Sequence, residues 1–477
     1  MTAPVGTAAI IGGGVIGGGW AARFLLNGWN VTVFDPDPGA ARKIGAVLDR
    51  ARASLPALYD RPLPPEGTLS FCATLEDAVQ GADWVQESVS ERLELKHRVY
   101  DQIVAHLPEG GFIASSTSGF KASDLAANGA PVVVVHPFNP VYLLPLAEIT
   151  GAPELRAKAL PVVQSIGMSP LEMHAEIDAF IGNRFQETIW REALWMIKDG
   201  IATTAQIDDA MRMGFGLRLA QMGLFETYRL AGGEAGMASY MEQFGPSLHW
   251  PWSKLTDVPD LDAALVQAIS DQSDAQSGHM TIAQMETLRD DNLVAILRGL
   301  RRTGSGAGGV ITAHEERLDT GGEIDGLPVT QRRAVPVTWT DYNGHMNEAA
   351  YLELGTWATD GMMKLVGADD AYVASGKSFF TVDTRIRYLE EVHRGAVLTA
   401  TTQVLEGAGK TMKLFHRILK EDGSLVATIE TLMLHTDLNT RRACPPEPPV
   451  AEALETLAAA HAGRDAPGAG GSVGQRN

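Results

Sequence analysis

Three glycines near the start constrain this chain more than any other feature. In Ile10-Ile11-Gly12-Gly13-Gly14-Val15-Ile16-Gly17 the spacing G-x-G-x-x-G falls on Gly12, Gly14 and Gly17. An apolar run over 8–11 precedes it, a helical stretch over 18–26 follows, and a second apolar run over 31–34 ends in Asp35. That order predicts a strand–turn–helix–strand unit. Gly12 serves the tight turn, Gly14 lets backbone approach a pyrophosphate, and Gly17 lets helix pack on strand. Gly12, Gly13, Gly14, Val15, Ile16 and Gly17 are therefore expected to cradle a dinucleotide against the positive end of the helix. Asp35 would accept hydrogen bonds from a ribose 2′-hydroxyl and repel a 2′-phosphate, so NAD is expected over NADP.

The alternation continues through three more short apolar runs, at 83–86, 112–115 and 132–135, with helical patterns between them. This predicts a parallel sheet buried on both faces. From Phe180 to about Arg302 strand-like runs give way to helical periodicity, as in Phe185, Ile189, Ala193 and Ile197. The glycine- and serine-rich stretch 304–309 reads as a flexible linker. A third pattern begins near Leu327, with a helical segment over 348–366 and β-rich segments at 398–405, 412–419 and 426–435; Glu421-Asp422-Gly423 is the expected hairpin turn. The proline- and alanine-rich tail beyond Cys444 reads as disordered.

Three such regions suit a length of 477 residues, at roughly 150 residues per domain. Asp and Glu (58) outnumber Lys and Arg (39), a net charge of −19 that argues against nucleic acid or an anionic membrane as partner. Only Cys72 and Cys444 are present, which excludes a disulfide framework and Cys-rich zinc spacing; no metal is expected. No apolar run is long enough for a spanning helix, and no basic segment precedes an apolar one at the start. A cytoplasmic enzyme acting on small molecules is the expectation.

Further motifs resemble the 3-hydroxyacyl-CoA dehydrogenase family over about residues 5–300. These are Ala82-Asp83-Trp84-Val85-Gln86-Glu87-Ser88-Val89-Ser90-Glu91 with Leu93-Glu94-Leu95-Lys96, Ser115-Ser116-Thr117-Ser118, His136-Pro137-Phe138-Asn139-Pro140 with Glu148, and Phe180-Ile181-Gly182-Asn183-Arg184. The resemblance implies an α/β chain with a Rossmann NAD-binding domain over 1–180 and an all-α dehydrogenase domain over 181–320. It implies His136 as the base, Glu148 as its carboxylate partner, and Ser118 and Asn183 as hydrogen-bond partners of the reacting oxygen. Glu91 and Lys96 would line the cofactor or substrate mouth. Imidazole chemistry suits the role, because a neutral ring can take a hydroxyl proton near neutral pH.

The substrate is read from the helical region. Arg218, in Gly214-Phe215-Gly216-Leu217-Arg218, departs from the acyl-CoA pattern and resembles the branch that oxidises free 3-hydroxy acids, such as gulonate dehydrogenases. It could clamp a carboxylate. Phe185, Trp190, Trp195, Tyr228, Trp250 and Trp252 offer faces for a quaternary ammonium group; Trp190 lies near the helix face of Asn183 and, with Phe138, is the expected substrate contact. The strings running from Trp190 to Trp195 and from Gly223 to Arg229 resemble L-carnitine dehydrogenases. The alternative is a 3-hydroxyacyl-CoA or gulonate-type dehydrogenase.

Asp341-Tyr342-Asn343-Gly344-His345-Met346-Asn347-Glu348-Ala349-Ala350-Tyr351 resembles the hot-dog acyl-CoA thioesterases, implying an α+β domain over 326–447 with a disordered tail over 448–477. By that resemblance Asp341 attacks the thioester or activates water, and Gly344 and the following N–H groups hold the oxyanion. Asp341 could instead cap the helix that starts near Asn347. Trp339, Tyr342 and Trp357 are available for a second ammonium cage. The two resemblances together imply oxidation of L-carnitine and hydrolysis of betainyl-CoA by one homodimeric chain, with a non-catalytic dimerisation module as the alternative for the third domain.

Overall fold

The computed structural model describes residues 5–59, 61–232, 236–246, 252–254, 260, 262–318 and 322–469. It divides into two compact units, the second beginning at Arg317, with residues 59–62 grouped with it.

The first unit carries β1 (Thr7–Ile11), β2 (Asn30–Phe34), β3 (Leu69–Phe71), β4 (Trp84–Glu87), β5 (Ile113–Ser115), β6 (Val132–Pro137), β7 (Leu146–Gly151) and β8 (Ser169–Glu172). Their order is β3-β2-β1-β4-β5-β6-β7-β8. Every pairing is parallel except β6 with β7. Ala8, Ala9, Ile10 and residues 132–135 are buried on both faces, which is why they read as continuous apolar runs. The strand order reverses between β1 and β4, where a doubly wound sheet opens a crevice at the carboxyl ends of its strands. The turn after β1 stands at that point, with the helix Val15–Leu26 behind it. The helical part of this unit includes Phe180–Lys198, Thr204–Ala210, Gly216–Ala231 and Ile282–Thr303. It is tied to the sheet part by a 2.6 Å hydrogen bond from buried Tyr142 Oη to buried Asp290 Oδ2.

Stretch 304–309 is not a flexible linker. Gly304 ends Ile282–Thr303 in a left-handed conformation (φ +64°), and Ala307–Glu315 folds back as another helix. A Cβ on Gly308 would lie 2.1 Å from the Leu300 carbonyl carbon. Ile311 is buried, and Arg301 pairs with Glu315 across the turn. These glycines serve close approach of two helices rather than chain freedom.

The second unit has β9 (Glu323–Ile324), β10 (Leu327–Ala334), β11 (Lys377–Tyr388), β12 (Val397–Glu406), β13 (Thr411–Lys420), β14 (Leu425–Asp437) and β15 (Arg442–Ala443). They pair in the order β11-β14-β13-β12-β10-β9, with β15 beside β14. The helix Glu348–Leu365 lies on this antiparallel sheet through Ala350, Tyr351, Leu354 and Ala358, against Leu398, Ile418 and Ile429. A long antiparallel sheet around one central helix is the hot-dog architecture. The expected hairpin turn sits between Lys420 and Ser424, whose N–H and carbonyl groups bond at 2.9 Å.

The tail expected to be disordered over 448–477 is, within its described part, largely a helix, Pro448–His461. Val450 and Leu454 are buried against the cluster holding Met412 and Leu414, and His461 Nδ1 accepts the Val404 N–H at 3.0 Å. Alanine-rich composition masked a short apolar stripe at helical spacing, Val450, Leu454 and Leu457. Residues 470–477 lie outside the described residues.

Candidate active sites

The oxidation site is built on a strand pair. Antiparallel β6 and β7 place His136 opposite Glu148. Their side chains share one face, and His136 Nδ1 meets Glu148 Oε2 at 2.8 Å. Both are buried, at 4% and 0% exposure. The other glutamate oxygen, Oε1, accepts the backbone N–H groups of Ile181 and Gly182, each at 2.9 Å. These open Phe180–Lys198, so the carboxylate sits at the positive end of a 19-residue helix. Burial pushes the Glu148 carboxyl up, but the His136 bond and the two N–H donors outweigh it and hold the group below its ordinary range. An ionised Glu148 requires hydrogen on Nδ1, leaving the Nε2 lone pair to take a proton.

Phe138 and Phe180 flank the imidazole, with ring centroids 5.0 and 5.1 Å away. A Cβ on Gly182 would strike Phe138 at 2.3 Å, so glycine there lets the ring lie over the helix start. Ala179, just before this helix, and Phe180, its first residue, both adopt positive φ (62° and 53°). That backbone costs an L-residue energy and is held by the fully buried Phe180 ring and the two N–H bonds to Glu148.

Asn183 and Ser118 come together. Asn183 Nδ2 donates to the Ser118 carbonyl at 2.8 Å. The Ser118 turn is held by Glu91, whose Oε1 accepts from Thr117 Oγ1 at 2.5 Å and from the Ser118 and Gly119 N–H groups at 3.0 Å. Partial burial raises the Glu91 carboxyl, and Thr117 with Lys96 more than reverses it, so the net shift is downward. Lys96 does not line an open mouth. It is 1% exposed, and its Nζ lies 2.8 Å from Glu87 Oε1 and 3.2 Å from Glu91 Oε2. A cation with two carboxylate partners is stable there without reaching solvent. Glu87, quoted in the sequence motif but given no role, is the hub: Tyr100 and Ser115 hydroxyls bond its second oxygen at 2.7 and 2.6 Å. Its position at the end of a buried strand is the signal that could have singled it out.

The glycine turn fits a dinucleotide. Gly12 has φ +105°, and a Cβ there would meet Ser88 O at 2.6 Å across the β1–β4 crevice. A Cβ on Gly17 would fall 1.9 Å from the Gly12 carbonyl oxygen, whereas one on Gly14 would meet nothing within 4 Å. Two glycines are thus required by the fold, and the third opens space where a pyrophosphate approaches. Val15 and Ile16 begin the helix whose free N–H groups face that space. Asp35 is half-buried, and its oxygens accept from Gly13 N–H at 2.5 Å and Asp37 N–H at 2.7 Å. It therefore anchors the turn.

The substrate residues expected from the helical part lie on several of its helices. Arg218 is exposed on Gly216–Ala231. Trp190 is 56% exposed and lines a cavity of about 450 Å³ with Glu187, Ile197 and Asp208. Trp195 faces the chain's own Lys254 and Lys198, at 4.2 and 4.9 Å from its ring centre. Tyr228 stacks on Tyr240, Phe185 and Trp252 are exposed, and Trp250 lies outside the described residues.

In the second unit, Asp341 Oδ1 accepts the N–H groups of Asn343 (2.8 Å) and His345 (3.1 Å). Asp341 does not cap the helix; Asn347 does, accepting Ala350 N–H at 3.0 Å. Partial desolvation raises the Asp341 carboxyl, and the His345 and Asn343 N–H bonds carry it below its ordinary value. The N–H groups expected to hold an oxyanion are already committed: Gly344 to Asp341 O, Met346 to Val392 O, and Asn347 to Trp339 O. Trp339 and Trp357 do not form an open cage either. The Arg333 guanidinium lies directly over the Trp357 ring and 4.6 Å from the Trp339 ring centre. Tyr342 stands apart, almost fully exposed.

A buried histidine–carboxylate pair on the same doubly wound sheet as a dinucleotide turn marks a nicotinamide-dependent alcohol dehydrogenase, here joined to a hot-dog unit of the thioester-hydrolysing kind. Family models agree: "3-hydroxyacyl-CoA dehydrogenase, NAD binding domain" matches residues 7–176, "3-hydroxyacyl-CoA dehydrogenase, C-terminal domain" matches 180–264, and "Thioesterase-like superfamily" matches 335–454. An L-carnitine dehydrogenase/betainyl-CoA thioesterase of Ruegeria pomeroyi is 54% identical over 98% of this chain and 99% of its own length. One of Agrobacterium fabrum is 49% identical over 95% of each. An L-carnitine dehydrogenase of Mesorhizobium japonicum is 53% identical over 64% of this chain and 86% of its own. Among solved structures, the NAD+-dependent dismutase 5-formyl-3-hydroxy-2-methylpyridine 4-carboxylic acid 5-dehydrogenase is 28% identical, with a TM-score of 0.52 over 62% of this chain and 98% of that one. The chain belongs to the L-carnitine dehydrogenase/betainyl-CoA thioesterase family. Its cofactor is NAD, and among the described residues no helix is long and apolar enough to cross a membrane.

Proposed function

We propose that this chain catalyses two reactions: NAD-dependent oxidation of L-carnitine to 3-dehydrocarnitine in the first unit, and hydrolysis of betainyl-CoA to glycine betaine and CoA in the second. The observation that carries the reading is the buried His136–Glu148 pair in a chain alignable over nearly its whole length with enzymes of that double name.

Bound NAD supplies the acceptor for the hydride leaving the carbinol carbon. His136 Nε2 takes the hydroxyl proton as the carbonyl forms, and Glu148 stabilises the imidazolium through Nδ1. Asn183 and the Ser118 turn orient the reacting oxygen, Asn183 through the amide hydrogen not given to Ser118. Phe138 and Phe180 exclude water from the imidazole. Arg218 is the candidate partner of the substrate carboxylate and Trp190 of its ammonium end.

In the second unit Asp341 Oδ2, the oxygen not used by the loop N–H groups, is the base for water or the nucleophile at the thioester carbonyl. The first-turn N–H groups of Glu348 and Ala349, which have no preceding turn to bond, are the candidate oxyanion donors. Comparing L-carnitine, D-carnitine, gulonate and 3-hydroxybutyryl-CoA as NAD-reducing substrates tests the first reaction; equal rates with any of the others would overturn it. Betainyl-CoA hydrolysis lost in Asp341→Ala tests the second, and unchanged hydrolysis would leave the hot-dog unit structural.

The working form is a cytoplasmic homodimer. Supporting this are exposed Phe185, Ile189 and Trp190 along one helix, and Phe380 and Val382 exposed on the edge strand β11. A monomer in sedimentation at micromolar concentration would refute the dimer.

A further inference from the structure

The Asp341 loop opens on a cavity of about 790 Å³ whose lining has an unusual chemistry for an acyl site. Besides Asp341 it includes three more carboxylates, Glu348, Glu390 and Glu391, and two tyrosines, Tyr351 and Tyr388, with neither lysine nor arginine. Tyr351 is buried and Tyr388 is 53% exposed; their rings meet edge to face, with centroids 5.1 Å apart at 81°. Glu390 is shared with Lys420 at 3.1 Å, and Glu391 faces His345 at 3.4 Å. Glu348, at the first position of the central helix, has no ion pair among the described residues.

We propose that Tyr388 and Glu348, backed by Tyr351, form the subsite that recognises the cationic end of the acyl group, making this cavity selective for short acyl-CoA thioesters that carry a fixed positive charge. The inference rests on the assignment of betainyl-CoA to this unit and names the residues that enforce it. A neutral acyl chain gains nothing from a carboxylate-rich wall and covers part of it from water. A quaternary ammonium group gains from both the aromatic faces and the carboxylates. Its methyl groups cannot donate ordinary hydrogen bonds, so ring faces and diffuse negative charge are the fitting partners. Geometry adds a constraint. In a betainyl thioester the nitrogen and the scissile carbonyl carbon are about 2.5 Å apart, two bonds of standard length. The cation subsite must then share a cavity with the hydrolytic carboxylate, as Tyr388 and Glu348 do with Asp341. The tryptophan pair Trp339–Trp357 cannot serve, because Arg333 covers it.

The test compares betainyl-CoA with 3,3-dimethylbutyryl-CoA, in which carbon replaces the charged nitrogen at nearly equal shape. The full-length protein should show a higher kcat/KM for the cationic thioester. Tyr388→Leu should lower the ratio of the two kcat/KM values by about 3- to 30-fold, the range expected for one ammonium–aromatic contact. Tyr388→Phe, which keeps the ring, should restore the ratio, and Glu348→Gln, an exposed change that spares the fold, should lower it several-fold. A ratio unmoved by Tyr388→Leu and Glu348→Gln, with betainyl-CoA still hydrolysed, overturns the subsite alone. If the unaltered protein hydrolyses the neutral thioester and not betainyl-CoA, the subsite and the substrate assignment fall together.

Discussion

The carboxylate of Glu148 accepts the backbone N–H of Gly182 at 2.9 Å through one oxygen while its other oxygen holds the His136 imidazole. The entry of the helical region and the proposed proton acceptor are therefore joined by a single side chain. Glu148→Gln makes the consequence measurable. The glutamine oxygen must stay with the two N–H donors, which turns its NH2 toward Nδ1 and forces the imidazole proton onto Nε2. The base is then blocked with its position preserved. We expect kcat for L-carnitine oxidation to fall by about 10²–10⁴-fold, with NAD affinity by fluorescence titration unchanged. A loss under tenfold would show that the tautomer does not matter.

Asp35 bonds the Gly13 and Asp37 N–H groups, so it shapes the turn it is expected to serve. Asp35→Asn keeps one acceptor oxygen and removes the charge. NAD binding should weaken by about tenfold, the loss of roughly one charge-assisted hydrogen bond, and the preference for NAD over NADP should shrink. Isothermal titration with both cofactors reads the two effects separately; unchanged selectivity would remove Asp35 from the ribose site.

The Asp341 carboxylate, as the proposed base, gives a pH prediction. The N–H bonds of His345 and Asn343 hold Asp341 below its ordinary value, so it keeps its charge as pH falls further than a free aspartate does. Betainyl-CoA hydrolysis should therefore lose no rate to Asp341 protonation until below about pH 4, the unperturbed aspartate value. A limb rising between pH 5 and 7 in stopped-flow release of the thiol would assign the base to another group, with His345 the first to test.

Ala179 stands in left-handed backbone next to a phenylalanine that does the same. Ala179→Gly relieves about 1 kcal/mol of strain but adds freedom to the unfolded chain, for a net change of about 0 to +1 kcal/mol in stability. Ala179→Val should cost about 1–2 kcal/mol, because a branched Cβ fits that region worst. Thermal unfolding of both variants checks the order.

What could be read from sequence tracked how local the cause was. The five strands foreseen in the first unit carry buried apolar runs, and the glycine turn fixes its own geometry. β7 was not foreseen as a strand, because Leu146–Gly151 mixes Glu148 and Thr150 into its interior, and both are there for pairing and chemistry. β11 escaped for a related reason: an edge strand with exposed Phe380 and Val382 and charged Arg385 and Arg387 shows no clean alternation. At the sites, motifs named His136, Glu148 and Asp341, but the residues acting on them through backbone were invisible. No pattern announces that Ile181 and Gly182 will present N–H groups to a glutamate more than thirty residues earlier. Nor does composition reveal that Arg333 fills the tryptophan pair, since that depends on which faces β10 and the central helix present.

The close approach of Gly308 to Leu300 bears on how the two activities can be taken apart. The glycine run looks like the natural place to cut the gene. Severing there would remove the helix Ala307–Glu315, uncover apolar surface around Ile311 and strand Arg301 without Glu315. Division at Arg317 leaves that packed joint whole. Fragments ending at 316 and at 303 should differ in solubility although only thirteen residues separate them, and a failed dehydrogenase fragment of the shorter kind would report on the cut rather than on whether the two reactions depend on one another.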